Sequence, residues 1–128
     1  MLVPNVETGA SASKIAENFD VLKSNTIALK EISSVINRSC RPSGMYVKGA
    51  KAAAISSRRR LARLLKDIDS VEVKTVDELF RLTNRLNRIF EAVKTNWDVA
   101  ISFDHGLKQH TFPVMEPFTA MHARPFWM

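Results

Sequence analysis

The stretch TVDELFRLTNRLNRIFEAVKTNW, residues 75–97, constrains the fold most, because it is the clearest amphipathic helix in the chain. Apolar residues recur in it at alternating spacings of three and four, which places them on one helix face. These residues are Leu79, Leu82, Leu86, Ile89 and Val93. Three aromatic residues are expected to widen that face: Phe80, Phe90 and Trp97. A capping-box pattern at the start, Thr75 to Glu78, supports a helix beginning there.

A second apolar stripe predicts a first helix over about residues 11–38, with Ser11 or Ser13 as its N-cap. The stripe again alternates spacings of three and four, as in a helical bundle. Its members are Ile15, Phe19, Leu22, Thr26, Leu29, Ser33 and Ile36. Because Thr26 and Ser33 are polar, they weaken the seam. Pro42 and Gly44 then end the helix.

A middle helix is predicted over about residues 49–69, starting between Met45 and Lys51. Alanines at positions 52–54 permit close contact with another helix. The inward residues are expected to be Ile55, Leu61, Leu64, Leu65 and Ile68. The fold class predicted is therefore mainly α, either a small three-helix bundle or a helical hairpin plus a long N-terminal helix.

The remaining segments are expected to be extended. Residues 1–10 form an N-terminal arm, and residues 98–128 form a tail rich in proline and aromatic residues, so that residues 11–97 are a single helical domain. Residues 71–74 alternate β-branched and charged residues and could form either a linker or a short strand. Residues 99–103 could form a second short strand.

Composition excludes several classes of protein. The chain of 128 residues has room for one modest core, and its single cysteine cannot form an internal disulfide. No apolar run approaches the roughly 20 residues of a membrane helix, and the N-terminus lacks the pattern of a signal peptide. We therefore expect no membrane span and a location in the cytoplasm or within a virus particle.

Positive charge is concentrated in the middle of the chain. The net charge is +6, and residues 51–97 carry eleven Lys/Arg against six Asp/Glu, a local net charge of +5. Such a field attracts nucleic acid, anionic lipid or acidic protein without choosing among them. The candidate polyanion-contact residues are Arg58, Arg59, Arg60, Arg63, Lys66, Arg81, Arg85 and Arg88.

Spacing supports part of this basic set as one surface. Arg81, Arg85 and Arg88 stand at i, i+4 and i+7 on one helix face, and a hairpin with the middle helix could extend the patch. The alternative is a solvated face whose charge is partly balanced by Glu78 and Glu91. Separately, Arg63 could pair with Asp67 at i+4 within the middle helix.

The tail carries a second candidate site, a protein-interface segment. Its large apolar residues are Phe112, Met115, Phe118, Met121, Phe126 and Trp127. Exposure of so many would favour aggregation, so the tail must be covered. It could pack on its own core, dock on a neighbouring subunit or act as a proline-rich ligand; docking is favoured, and the spacing of Pro113 and Pro117 does not match PxxP.

No catalytic or metal signature appears. The only candidates for such chemistry are His105, His110, His122, Asp104 and Cys40, and they have no standard ligand spacing. We therefore predict no enzyme, no catalytic residues, no metal, no cofactor and no small-molecule substrate.

Three functions fit these features. The favoured hypothesis is a structural or assembly subunit of a larger nucleoprotein complex, such as a virus or phage particle, in homo- or hetero-oligomers. The second is an accessory or regulatory protein that binds DNA or RNA through the basic surface of residues 58–88. The third is an adaptor or inhibitor that masks an acidic partner.

Overall fold

The computed structural model describes residues 11–39, 45–103 and 105–118. Within them the chain forms three long helices, α1 (Ala12–Ser39), α2 (Met45–Asp69) and α3 (Val76–Phe103), followed by a short 3-10 helix, His105–Gln109. These described segments contain no strand. The predicted mainly α class is confirmed, and the arrangement is a small three-helix bundle. The predicted N-terminal arm, residues 1–10, lies outside the described residues.

Helix α1 begins at its predicted cap. The Ser11 hydroxyl accepts a hydrogen bond from the backbone N–H of Lys14 at 3.1 Å, and the Ser11 carbonyl accepts one from the N–H of Ile15 at 3.1 Å. These bonds satisfy N–H groups that a helix start otherwise leaves unpaired. Most of the predicted stripe is buried: Phe19, Leu22, Thr26, Leu29, Ser33 and Ile36.

The two polar members of that stripe are accommodated differently. The Thr26 hydroxyl donates to the Leu22 carbonyl at 2.7 Å, so its polarity is satisfied within the helix. The Ser33 hydroxyl is buried and has no hydrogen-bond partner among the described residues. Burying an unsatisfied hydroxyl is unfavourable, so Ser33 weakens the seam at this turn.

Helices α2 and α3 complete the core. From α2, Leu61, Leu64 and Ile68 are buried as predicted, whereas Ile55 and Leu65 are only partly buried. The entire predicted stripe of α3 is buried: Leu79, Leu82, Leu86, Ile89 and Val93. Of the alanines predicted to allow close helix contact, only Ala54 is buried, together with Ala50, whereas Ala52 and Ala53 are exposed.

The expectation that Phe80 widens the buried face is wrong, because its side chain is 48% exposed. Each residue turns an α-helix by about 100°, and Phe80 follows Leu79 at the edge of the stripe. That rotation carries its ring beyond the face that contacts α1 and α2. Phe90 is partly buried and Trp97 is buried, as the prediction required.

The strand suggested at residues 99–103 is wrong, since α3 continues through Phe103. Ala100 extends the buried stripe one turn past Trp97, and no Gly or Pro interrupts the chain before Gly106. Residues 71–74 form an irregular connection rather than a strand. An isolated strand has no ladder partner here, so the backbone follows the shortest path between α2 and α3.

The start of α3 is capped by Thr75. Its hydroxyl accepts the backbone N–H of Glu78 at 3.1 Å, which is half of the predicted capping box. The Glu78 carboxylate instead accepts a hydrogen bond from Arg81 at 2.7 Å.

Polar contacts fix the helices against one another. Lys23 of α1 forms a 2.8 Å ion pair with Asp69 of α2. The Asn96 amide of α3 donates to the Ala50 carbonyl of α2 at 3.1 Å. None of the helices among the described residues is long and apolar enough to cross a membrane.

Replacing Ser33 with alanine is expected to raise the free energy of unfolding by roughly 1 kcal/mol, because it removes an unsatisfied buried hydroxyl and improves helix propensity. The matched control is Ser34→Ala, since the Ser34 hydroxyl donates to the Lys30 carbonyl at 3.1 Å. Urea denaturation measures both. Equal or lower stability for Ser33→Ala than for Ser34→Ala would show that the Ser33 hydroxyl is satisfied in solution.

Candidate functional site: an arginine groove between α2 and α3

Four arginines converge on a shallow cavity between α2 and α3. Arg60 and Arg63 line it from α2, Arg85 and Arg88 line it from α3, and Ile89 lies among them, around a volume of about 280 Å³. Each pair is three residues apart, which places its members on the same face of their helix. The packing of α2 against α3 then brings the two pairs to face each other.

A second cavity adjoins the first along α2. It has a volume of about 450 Å³ and shares Arg60 and Arg63 with the first cavity. Its other lining residues are Ala52, Ile55, Ser56 and Arg59. We call the two cavities together the arginine groove.

One ion pair crosses the groove from helix to helix. The Arg85 Nη1 atom lies 2.7 Å from Asp67 Oδ2, with the two side chains 28% and 41% exposed. The predicted pair between Arg63 and Asp67 is therefore wrong. The packing of α2 on α3 brings Arg85 opposite Asp67, so the carboxylate bonds across the interface rather than along its own helix.

The other groove arginines have no carboxylate partner among the described residues: Arg59, Arg60, Arg63 and Arg88. The Nε of Arg88 makes a long hydrogen bond of 3.4 Å to the Asn84 carbonyl. Five arginines and one neighbouring carboxylate leave the groove strongly positive. Like charges held this close raise the local potential, which favours an anion at their centre.

Arg81 is directed elsewhere, although it was predicted to share this surface. Its guanidinium pairs with Glu78 one turn earlier at 2.7 Å. The hydrogen bond from Arg81 lowers the pKa of the Glu78 carboxyl below its ordinary value, and the same bond raises the pKa of Arg81. Arg81 is thus partly neutralised within α3.

The predicted basic set is therefore divided by the fold. Arg59, Arg60, Arg63, Arg85 and Arg88 line the groove, whereas Arg58, Lys66 and Arg81 do not. Arg58 precedes Arg60 by two residues, about 200° around α2, and so points away from it. Asn87 does not line the groove either. It precedes Arg88 by one residue and therefore lies about 100° away from it around α3.

Sequence reasoning missed the uncharged part of the groove. Ile55, Ser56 and Ile89 line the groove, and Asp67 is connected to it by its ion pair with Arg85. Ser56 stands four residues before Arg60, a spacing that places both on one face. This four-residue spacing is the feature of the sequence from which the position of Ser56 beside Arg60 could have been predicted.

The second predicted site, the tail, contacts the chain's own core over the described residues. Phe112 packs edge-on to Phe90 with ring centroids 5.8 Å apart, and lies 6.0 Å from Trp97. The Lys94 ammonium lies 5.0 Å from the centre of the Phe112 ring. Met115 also packs against the core. These contacts are made within one chain, whereas docking on a neighbour was the favoured expectation.

A buried amide fastens this segment to α1. The Asn25 Oδ1 accepts the backbone N–H of Glu116 at 2.8 Å, and the Asn25 Nδ2 donates to the Glu116 carbonyl at 3.1 Å. This pair of bonds satisfies both polar atoms of the Asn25 amide and places Phe118 against the core. Met121, Phe126 and Trp127 lie outside the described residues.

In the part of the chain that the structure describes, few side chains are arranged for metal binding or acid–base catalysis. No cluster of three His, Cys, Asp or Glu side chains there could hold a metal ion. His110 is exposed, and His105 begins the 3-10 helix. Cys40, Asp104 and His122 lie outside the described residues.

No protein-family model, curated protein or solved structure matches this chain.

Replacing Phe112 with alanine is expected to lower the free energy of unfolding by roughly 1–3 kcal/mol, because the ring packs on Phe90 and Trp97. The matched control is Val114→Ala, two residues away and 89% exposed, which should change stability by less than about 0.5 kcal/mol. Urea denaturation followed by circular dichroism compares them. Equal stabilities for the two variants would mean that the tail leaves the core in solution.

Proposed function

We propose that this protein is a non-enzymatic helical subunit that binds nucleic acid through the phosphate backbone, within a nucleoprotein complex. The observation that carries the proposal is the arginine groove, in which five arginines from two helices converge and, among the described residues, only Arg85 is paired to a carboxylate, that of Asp67.

Guanidinium chemistry favours phosphate as the group bound. Arginine stays charged at any physiological pH and presents a planar array of donors that matches two oxygens of a phosphate at once. Arg60 and Arg63 face Arg88 across the cavity, so donors approach an anion from two sides.

Rigidity of the groove adds to this chemistry. The backbones of Arg85 and Arg88 belong to a helix whose adjoining face is buried in the core, with Leu82 and Leu86 almost fully covered. A site built on packed helices requires little ordering of backbone when the ligand binds, which preserves binding free energy.

Cavity size separates a phosphate from a helical acidic partner. The space among the four arginines is about 280 Å³, which suits a phosphate and its sugar. A partner helix is about 10–12 Å across and would rest on the rims of the groove instead of entering it.

The assembly role remains a prediction. It was expected to depend on the tail, and the described contacts of Phe112, Met115 and Phe118 lie within the chain. The contribution of Met121, Phe126 and Trp127 to subunit contacts is part of the same hypothesis.

Replacing Arg63 with alanine is expected to weaken binding of the intact protein to a fluorescently labelled oligonucleotide by roughly three- to tenfold. The slope of log K against log salt should fall by about 0.7–0.9, since one phosphate contact is lost. Fluorescence anisotropy over a salt series measures both quantities.

Arg58→Ala is the matched control, because it removes the same charge from the same helix outside the groove. It should leave the salt slope nearly unchanged. If Arg58→Ala weakens binding as much as Arg63→Ala, only net charge matters and the groove is not the site. If the wild-type protein binds no DNA or RNA even at low salt, the proposed function is wrong.

A further inference from the structure

The arginine groove is elongated along α2. Its two cavities share Arg60 and Arg63, and their lining on α2 runs from Ala52 to Arg63. These twelve residues are separated by eleven helical rises and span about 16 Å, a length that accommodates about three to five phosphates of one strand at 3.4 Å or more per nucleotide.

The groove is also concave. Ile89 lines the inner cavity and is only 3% exposed, so the cavity reaches down to the packed core between two helices. Axes of packed helices are about 8–10 Å apart, so their side chains interdigitate and leave a shallow groove on the surface above the contact. Arginines of both helices border the inner cavity, and arginines of α2 border the outer one.

A double helix is too wide to enter such a groove. Proteins that read a duplex insert a convex helix or ribbon into its grooves, or place donors on a ridge that touches its rim. A rigid duplex would rest on the ridges of α2 and α3 and would meet only the exposed ends of the groove arginines. A single strand is thin and flexible enough to lie in the groove, with its phosphates among the arginines and its bases outward.

With the phosphates inward, the groove arginines bind the backbone instead of base edges. The uncharged lining residues that the structure describes are Ala52, Ile55, Ser56 and Ile89, and none of them offers an aromatic ring on which a base could stack. Apolar side chains of this kind contact sugars without distinguishing sequence. Contacts limited to the backbone give sequence-independent affinity, with a dissociation constant of about 10⁻⁴–10⁻⁶ M at physiological salt.

We propose that the ligand of the arginine groove is single-stranded nucleic acid, whose backbone runs through both cavities independently of sequence. This inference rests on the nucleic-acid binding proposed above. It adds the strandedness, the path and the lack of sequence preference.

The experiment measures anisotropy of the intact protein with labelled probes of about 20 nucleotides at about 50 mM salt, where backbone contacts are strong. The probes are oligo(dT), a mixed-sequence single strand and the duplex of that mixed sequence. The two single strands should bind with dissociation constants within about threefold of each other, and the duplex roughly tenfold more weakly.

A charge placed in the outer cavity tests the path. Ser56→Glu puts a carboxylate beside Arg59 and Arg60 and should weaken single-strand binding by roughly fivefold, because it competes with phosphate for those arginines. Ser24→Glu is the matched control: it makes the same substitution at an exposed position of α1 that does not line the groove. It should change affinity by less than about twofold.

Each other outcome has a definite meaning. Duplex binding as tight as single-strand binding overturns the preference for a single strand, while the proposed function stands. Equal effects of Ser56→Glu and Ser24→Glu overturn the path through the outer cavity. A strong difference between the two single strands overturns the lack of sequence preference. Binding to none of these probes, nor to a single-stranded RNA of the same mixed sequence, overturns the proposed function and this inference with it.

Discussion

The apolar contact between α2 and α3 is the interaction on which both the fold and the groove depend. Ile89 shows the connection most directly, since it belongs to the buried core and also lines the cavity among the arginines. Because Arg85 and Arg88 stand within one turn of it, the packing that buries Ile89 also sets the distance between the two basic walls. The Arg85–Asp67 pair then fixes the relative position of the helices at that point with a bond of 2.7 Å. The stability of the core and the geometry of the arginine groove therefore depend on the same interface.

Periodicity was sufficient to predict the helices and most of their buried faces, because alternating spacings of three and four specify one side of a helix. It was insufficient at the edges. Phe80 is as apolar as Phe90, but its position on α3 turns it away from the buried stripe, whereas Phe90 lies close enough to the stripe to be partly covered, in part by Phe112. Residues 99–103 have β-branched character, yet the buried Ala100 keeps them in α3. Helix ends depend on tertiary contacts that a local pattern does not contain.

The candidate site, like the fold, could be predicted from the sequence only in part. Spacing within α3 predicted that Arg81, Arg85 and Arg88 share a face that a hairpin with the middle helix could extend. The structure brings Arg85 and Arg88 to the groove with Arg60 and Arg63, whereas Arg81 pairs with Glu78. The partners of these polar side chains could not be predicted. Asp67 bonds to Arg85, 18 positions away, and Asn25 bonds to Glu116, 91 positions away. Contacts at such separations are set by how whole elements pack. For the same reason the sequence left open whether the tail packs on its own core or docks on a neighbouring subunit, and Asn25 and Phe90 hold residues 112–118 on the bundle.

The central claim is that the groove arginines themselves contact phosphate. The most direct measurement is an NMR titration of the arginine Nε–Hε signals of the intact protein with oligo(dT) at low salt. The account predicts large, saturable shifts for Arg60, Arg63 and Arg88, with the signal of Arg58 almost unchanged, because Arg58 lies outside the groove. Uniform small shifts across all arginines, or shifts centred on Arg58, would contradict it.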